Sequence, residues 1–290
     1  MYSIKHKSKG LVSHGVSACA GCGLELIMRN VMEVLGQDTI IVIPPGCSAL
    51  FSGFGKETGL KIAGIQGNLE NSAACASGIR AGLNVQGNTH TNVLAFAGDG
   101  GTVDIGLQAL SGAIERRDRI IYVCYDNEAY MNTGIQSSSS TPLWATTTTT
   151  PAGKPVTRKD LIGIAIAHDI PYAASASLQN LGDLKKKVKK AMETNGPSLL
   201  HIHCPCPTGW FYDPKYTIRL AKLAVTTGNW ILYEYENGKI TINYKPKELE
   251  PVDEYLKLQG RFKQITSGQM EEIKVNIKKT YDRFVEKNSQ

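Results

Sequence analysis

Two apolar runs, Val93 to Ala97 and Ile120 to Tyr125, have the length of buried strands, and each breaks off in a polar turn. Between them, Ile105, Leu110 and Ile114 mark the expected buried face of a helix, and Gly106 and Gly112 permit close packing on a sheet. A strand, helix and strand in this order form a βαβ unit, which brings both strand ends to one edge of a parallel sheet. The sequence therefore predicts an α/β fold with a mainly parallel sheet flanked by helices. It sets Gly98-Asp99-Gly100-Gly101 beside Asp126-Asn127-Glu128-Ala129. Open α/β sheets bind their ligands at that edge.

The turn residues suit a particular ligand. Gly98, Gly100 and Gly101 let the backbone come close to a bound group, and Asp99 supplies a hard carboxylate oxygen. With the Asn127 side-chain oxygen and the Ala129 carbonyl, Asp99 offers three oxygens to a Mg2+ that also holds two phosphate oxygens and a water. Gly-Asp-Gly after one strand and Asn after the next looks like the thiamine-diphosphate motif. The plain alternative is an ordinary βαβ unit with a polar turn. A nicotinamide site fits less well, because Val103 stands where the last glycine of GxGxxG would fall, and no GxxxxGK[ST] occurs.

Further strands are expected at Ile40 to Ile43 and Ser198 to His203. The first runs into Pro44-Pro45-Gly46-Cys47-Ser48, the second into Cys204-Pro205-Cys206-Pro207. Cys19-Ala20-Gly21-Cys22 opens a helix that continues through Leu24, Ile27, Met28, Val31, Val34 and Leu35 and stops at Gly36. Such a CxxC is open to three readings: a redox pair, half of a zinc site or half of an iron-sulfur site. No strand signature precedes it, which weakens the first. His6 and His14 lack helical partner spacing, which weakens the second, and thiolates at long, irregular separations suit a cubane. Cys75, Cys124 and Cys204 read as buried small hydrophobes. His201 and His203 read as satisfied strand histidines.

Seven cysteines in 290 residues do not suggest a disulfide framework. No run approaches the ~18 apolar residues of a membrane span, and Met1 to Gly10 has no apolar stretch, so a cytoplasmic protein without membrane contact is expected. The net charge of +6 is modest. Its main cluster, Lys185-Lys186-Lys187 with Lys189-Lys190, is expected on a solvated helix face rather than against nucleic acid. The polar stretch from Ser137 to Thr150 could be a surface linker, or a loop at the active site or a subunit contact. Thr157 and Asp160 are cap candidates for a helix from Leu161 to His168. Beyond residue 210 the texture changes. Trp230 to Tyr244 alternates around Asn237-Gly238 as a hairpin, and Met270 to Val285 has helical periodicity.

With these residues in view, the chain resembles the β subunits of 2-oxoacid:ferredoxin oxidoreductases, most closely those of the multi-subunit pyruvate enzyme. CAGCG, PPGC, GNLENSAACASG, GDGGTVDIG, YDNEAYMNTGIQSSSSTP, CPTGW and GRFK carry the resemblance. It implies a diphosphate-binding type of thiamine-diphosphate fold, with Gly98, Gly100 and Gly101 along the diphosphate, Gly46 also at the cofactor, and Mg2+ on Asp99, Asn127 and the Ala129 carbonyl. Asn132 would face the thiazolium as the catalytic residue. Cys19, Cys22, Cys47 and Cys206 would carry a [4Fe-4S] cluster. Leu24 stands where some single-chain relatives have Glu, and no role is carried to it. Residues 1–210 would form the cofactor domain and 211–290 a C-terminal extension serving as a subunit-contact arm. The implied reaction is oxidative decarboxylation of pyruvate with coenzyme A, with electrons passing to ferredoxin. The implied partners are an α subunit with the pyrimidine-binding domain, a γ subunit and a ferredoxin-like δ subunit. Two rivals stand beside this: the same chemistry on 2-oxoisovalerate or another 2-oxoacid, and an electron-relay or structural subunit with a cluster or zinc but no thiamine.

Overall fold

A computed structural model describes residues 10–52 and 58–288; His6 and the rest of the first nine residues lie outside them. The strands are β1 (Thr39–Ile43), β2 (Ala63–Gln66), β3 (Asn92–Gly98), β4 (Ile121–Asp126), β5 (Tyr172–Ser177), β6 (Ser198–His203), β7 (Leu232–Glu236) and β8 (Lys239–Tyr244). The helices are α1 (Gly23–Leu35), α2 (Ser72–Val85), α3 (Leu107–Glu115), α4 (Leu161–Ala167), α5 (Leu181–Glu193), α6 (Pro207–Trp210), α7 (Thr217–Thr226), α8 (Val252–Lys257) and α9 (Ser267–Asn288). Eight strands form one sheet in the order β2-β1-β3-β4-β6-β5-β7-β8. The first six are parallel, and the β7–β8 hairpin adds antiparallel to β5.

Strand periodicity builds two apolar layers. Leu94, Phe96, Val123, Tyr125, Leu200 and Ile202 face α1 and α5, while Val93, Ala95, Ala97, Tyr122, Cys124 and Leu199 face α2, α3 and α4. β3 and β4 are direct neighbours with Gly98 opposite Tyr125, so the two polar turns meet as the βαβ reading requires. A third cluster joins Trp210 and α7 to Trp230, Tyr255, Phe262 and Ile273 near the C-terminus.

Several expectations need correction. Ile105 is exposed, because the chain leaves β3 through a π-helical turn, Gly100–Asp104, and α3 begins only at Leu107. Cys75 is half-buried rather than buried. Lys187 is not on a solvated face. It is buried, and its ammonium donates to the Ser175 carbonyl at 2.8 Å and to Asp183 Oδ2 at 2.7 Å. β5 was not foreseen; its Tyr-Ala-Ala-Ser-Ala-Ser sequence has no apolar run, and its strand state comes from pairing on both sides. Asp160 does cap α4, accepting from the Gly163 amide at 2.9 Å. Among the described residues no helix is long and apolar enough to cross a membrane.

Candidate active site

The turns after β3 and β4 bring three oxygens together. The Asn127 side-chain oxygen lies 2.9 Å from Asp99 Oδ1 and 2.9 Å from the Ala129 carbonyl, facing acceptors only. Rotating the amide would turn both contacts into hydrogen bonds. A shared cation explains them equally, since octahedral Mg2+ at ~2.05 Å from its ligands sets neighbouring oxygens about 2.9 Å apart.

The three carboxylates at this edge differ in their partners. Asp99, Asp126 and Glu128 are all buried at this edge. Asp126 Oδ2 lies 2.7 Å from His201 Nε2. Burial opposes its ionisation, but the His201 ring and the nearby Arg158 outweigh that and hold its carboxyl below the ordinary range. Glu128 pairs with Arg261 at 2.5 Å and with Arg158 at 3.2 Å. Asp99 has a hydroxyl, Ser138 Oγ, donating to Oδ2 at 2.5 Å, and no ion pair among the described residues. Burial, and then repulsion from Asp126, push its carboxyl well above the usual carboxylate range. A buried carboxylate short of a positive partner, next to an amide that also meets a backbone carbonyl, is a donor set that fits a divalent cation.

Two of the glycines of this segment are packed tightly within the protein itself. A Cβ at Gly100 would collide with the Tyr130 ring, and one at Gly106 with the Gly101 carbonyl. Tyr130 also donates its hydroxyl to the Gly100 carbonyl at 3.0 Å. Gly100 and Gly106 are therefore required by the packing of the turn itself. Gly46 has φ +150° and leads into a turn pinned by Tyr125, whose hydroxyl accepts from the Ser48 amide at 3.1 Å and donates to Ser48 Oγ at 3.0 Å. Asn132 is exposed on the turn after Tyr130.

Five thiols gather beside this edge. Burial first, then Cys206, Cys22 and Cys19, push the Cys47 thiol up to about 12. Burial raises Cys206 to about 11, with further contributions from Cys22 and Cys19. Cys204 is buried in the core beside α1, as expected of a strand residue. Cys206 instead caps α6, accepting from the Gly209 amide at 3.3 Å. Among the described residues no three His, Cys, Asp or Glu side chains close around a single ion.

Sequence reasoning missed Ser138, Tyr125, Glu128, Arg158 and Arg261. The stretch from Ser137 to Thr150 is no surface linker, since Ser138, Ser140, Thr141 and Ala145 are buried over the site. His201 is satisfied by Asp126, but His203 is not satisfied. It is fully buried between the Trp210 and Trp230 rings, and neither ring nitrogen has a hydrogen-bond partner among the described residues. Burial, aided by Arg158, lowers its pKa to about 3.

Residues 45–202 match the family described as thiamine pyrophosphate enzyme, C-terminal TPP binding domain. Over 93% of its length the chain is 48% identical to pyruvate synthase subunit PorB of Methanothermobacter thermautotrophicus, covering 96% of that protein. It is 46% identical to ketoisovalerate oxidoreductase subunit VorB of Pyrococcus abyssi, across 93% of this chain and 91% of that one. A solved 2-oxoglutarate:ferredoxin oxidoreductase from Magnetococcus marinus shares the fold, with a TM-score of 0.61 at 19% identity over 85% of this chain and 89% of that chain.

Proposed function

The chain belongs to the β-subunit family of 2-oxoacid:ferredoxin oxidoreductases, and from that premise we propose that it is the cofactor-bearing subunit of a cytoplasmic pyruvate:ferredoxin oxidoreductase. The reaction consumes pyruvate, coenzyme A and two oxidised ferredoxins, and yields acetyl-CoA, CO2, a proton and two reduced ferredoxins. The observation that carries this reading is the meeting of Asp99 Oδ1 and the Ala129 carbonyl at the Asn127 amide, where the buried Asp99 has no ion pair among the described residues.

Asp99, Asn127 and the Ala129 carbonyl would hold Mg2+, and Gly98, Gly100 and Gly101 would lie along the diphosphate. Asn132 would face the thiazolium, and Gly46 would line the cofactor from the β1 side. Cys19, Cys22, Cys47 and Cys206 would hold a [4Fe-4S] cluster, whose irons offset the charge of thiolates that burial otherwise disfavours. Thiamine diphosphate, when bound, supplies a nucleophilic carbon and an electron sink for decarboxylation, and the cluster a one-electron acceptor. The chain's own residues orient and enclose. Ser138 holds Asp99 through its hydroxyl, Tyr125 pins the turn that carries Cys47, and the Ser138 to Ala145 loop keeps water off Asp99. The pyrimidine-binding α subunit would complete the site, with γ and ferredoxin-like δ subunits beside it.

A second reading, the same chemistry on 2-oxoisovalerate, is favoured by the similarity to VorB. The test is anaerobic purification of the complex, followed by assay of thiamine diphosphate, magnesium, iron and zinc, and of viologen reduction with coenzyme A and either pyruvate or 2-oxoisovalerate. Faster turnover of 2-oxoisovalerate would replace pyruvate as the substrate. A complex that carries iron or zinc but binds no thiamine diphosphate would reduce this chain to an electron-relay or structural subunit.

A further inference from the structure

Glu128 stands between the two non-carboxylate ligands expected for the cation, Asn127 and Ala129, and its φ of +65° lies in the left-handed region that disfavours side chains other than glycine and asparagine. Something must hold it there. Its carboxylate is buried, with Oε2 accepting from Arg261 at 2.5 Å and Oε1 in an ion pair with Arg158 at 3.2 Å. Arg261 is buried as well, and its fork is aimed by Gln259 Oε1, which accepts from Nε at 2.9 Å and from Nη2 at 2.6 Å. The guanidinium lies 3.9 Å from the centre of the Trp210 ring, and the Trp210 indole N–H donates to the Asn127 carbonyl at 2.8 Å. The Arg261 carbonyl in turn accepts from the Thr146 amide at 3.0 Å and from its hydroxyl at 2.9 Å, on the loop that carries Ser138.

One residue from the C-terminal segment thus reaches the turn of the expected ligands twice, at the Glu128 carboxylate and through Trp210 at the Asn127 carbonyl. We infer that Arg261 is a positioning residue for the cation site: through Glu128 and Trp210 it holds the Asn127 oxygen and the Ala129 carbonyl on Asp99. The inference rests on the proposed Mg2+ role of those three groups. A lysine cannot replace it fully, since a point charge lacks the planar fork that meets Glu128 and Gln259 together and stacks on indole. The clamp also joins the two expected metal sites, because Trp210 ends the short helix whose first cap is Cys206.

The test uses the assembled complex freed of divalent cations with a chelator. Thiamine diphosphate is supplied, Mg2+ is added back in steps, and cofactor that co-elutes with protein on desalting is measured. Arg261→Met is expected to raise the half-saturating Mg2+ by about 10- to 100-fold, as loss of groups that support metal ligands does. Wild-type capacity should return at high Mg2+, and Arg261→Lys should fall between. A merely structural role would lower thermal stability and leave the half-saturating Mg2+ of the surviving protein unchanged, and that result overturns the inference. If Arg261→Met does not fold, Glu128→Gln carries the same expectation, and wild-type Mg2+ dependence there overturns it too. If the wild-type complex itself binds the cofactor without regard to Mg2+, the cation site fails as a reading, and the positioning role falls with it. Mg2+ dependence in the wild type with unaffected variants sinks the role of Arg261 alone.

Discussion

As the proposed cation ligand, Asp99 would carry a charge that burial and a neighbouring carboxylate both oppose. A cation resolves that conflict, so Asp99→Asn should lose most cofactor retention, and Asn127→Ala, which removes a neutral ligand, should lose less. Equilibrium dialysis with thiamine diphosphate at low Mg2+ checks this; full occupancy in both variants would rule out the ligand set. His203 presents the opposite case, a base kept neutral. Its pKa falls from the ordinary 6.5 to about 3, so between those values the unfolded chain takes up a proton that the folded chain refuses. His203 therefore costs nothing above the window and subtracts stability as pH falls through it, at up to about 1.4 kcal/mol per pH unit. His203→Phe should flatten the acid side of the stability profile, read as thermal midpoints from pH ~7 down to ~4 relative to wild type. An unchanged slope would mean that other groups set it.

Short elements place these residues. The π-helical turn after β3 leaves no room for side chains at Gly100 and Gly106, and it delays α3 enough to expose Ile105. α6 is only four residues long, yet it carries Cys206 at its cap and Trp210 at its end. Its geometry makes a clean test of the proposed cluster. Serine is a good N-cap, so Cys206→Ser should keep the bond to the Gly209 amide and the fold while removing a soft ligand. Iron content should drop, or the cubane's reduced signal in electron paramagnetic resonance should change. Cys204→Ser places a hydroxyl in an apolar core and should cost about 1–3 kcal/mol of stability with iron retained. The reverse pattern would move the fourth ligand to Cys204.

At the scale of the whole molecule, the hairpin of the C-terminal segment extends the main sheet, and Arg261 reaches the site at the other end of the fold. The arm-like role proposed for residues 211–290 has to accommodate both facts. Within the proposed function the carboxylate that faces the aminopyrimidine would come from the pyrimidine-binding domain of the α subunit. Turnover by the purified chain with pyruvate, coenzyme A and viologen should therefore be at background and rise only when the α subunit is added. Dye reduction by the chain alone would overturn this.

The sequence by itself determined the parallel sheet and the meeting of the two turns that carry Asp99, Asn127 and Ala129. Continuous apolar runs of strand length and glycine-rich turns are local signals, and a βαβ unit leaves its strand ends little choice of edge. It missed β5, whose small residues become strand only by pairing with neighbours, and Lys187, whose charge is buried because Asp183 and a carbonyl from β5 meet it there. Only the tertiary structure decided that Glu128 needs Arg158 and Arg261, that Ser138 serves Asp99 and that His203 stays unpartnered. Those pairings join residues far apart in the chain, and no periodicity or spacing encodes which buried charge will find which partner.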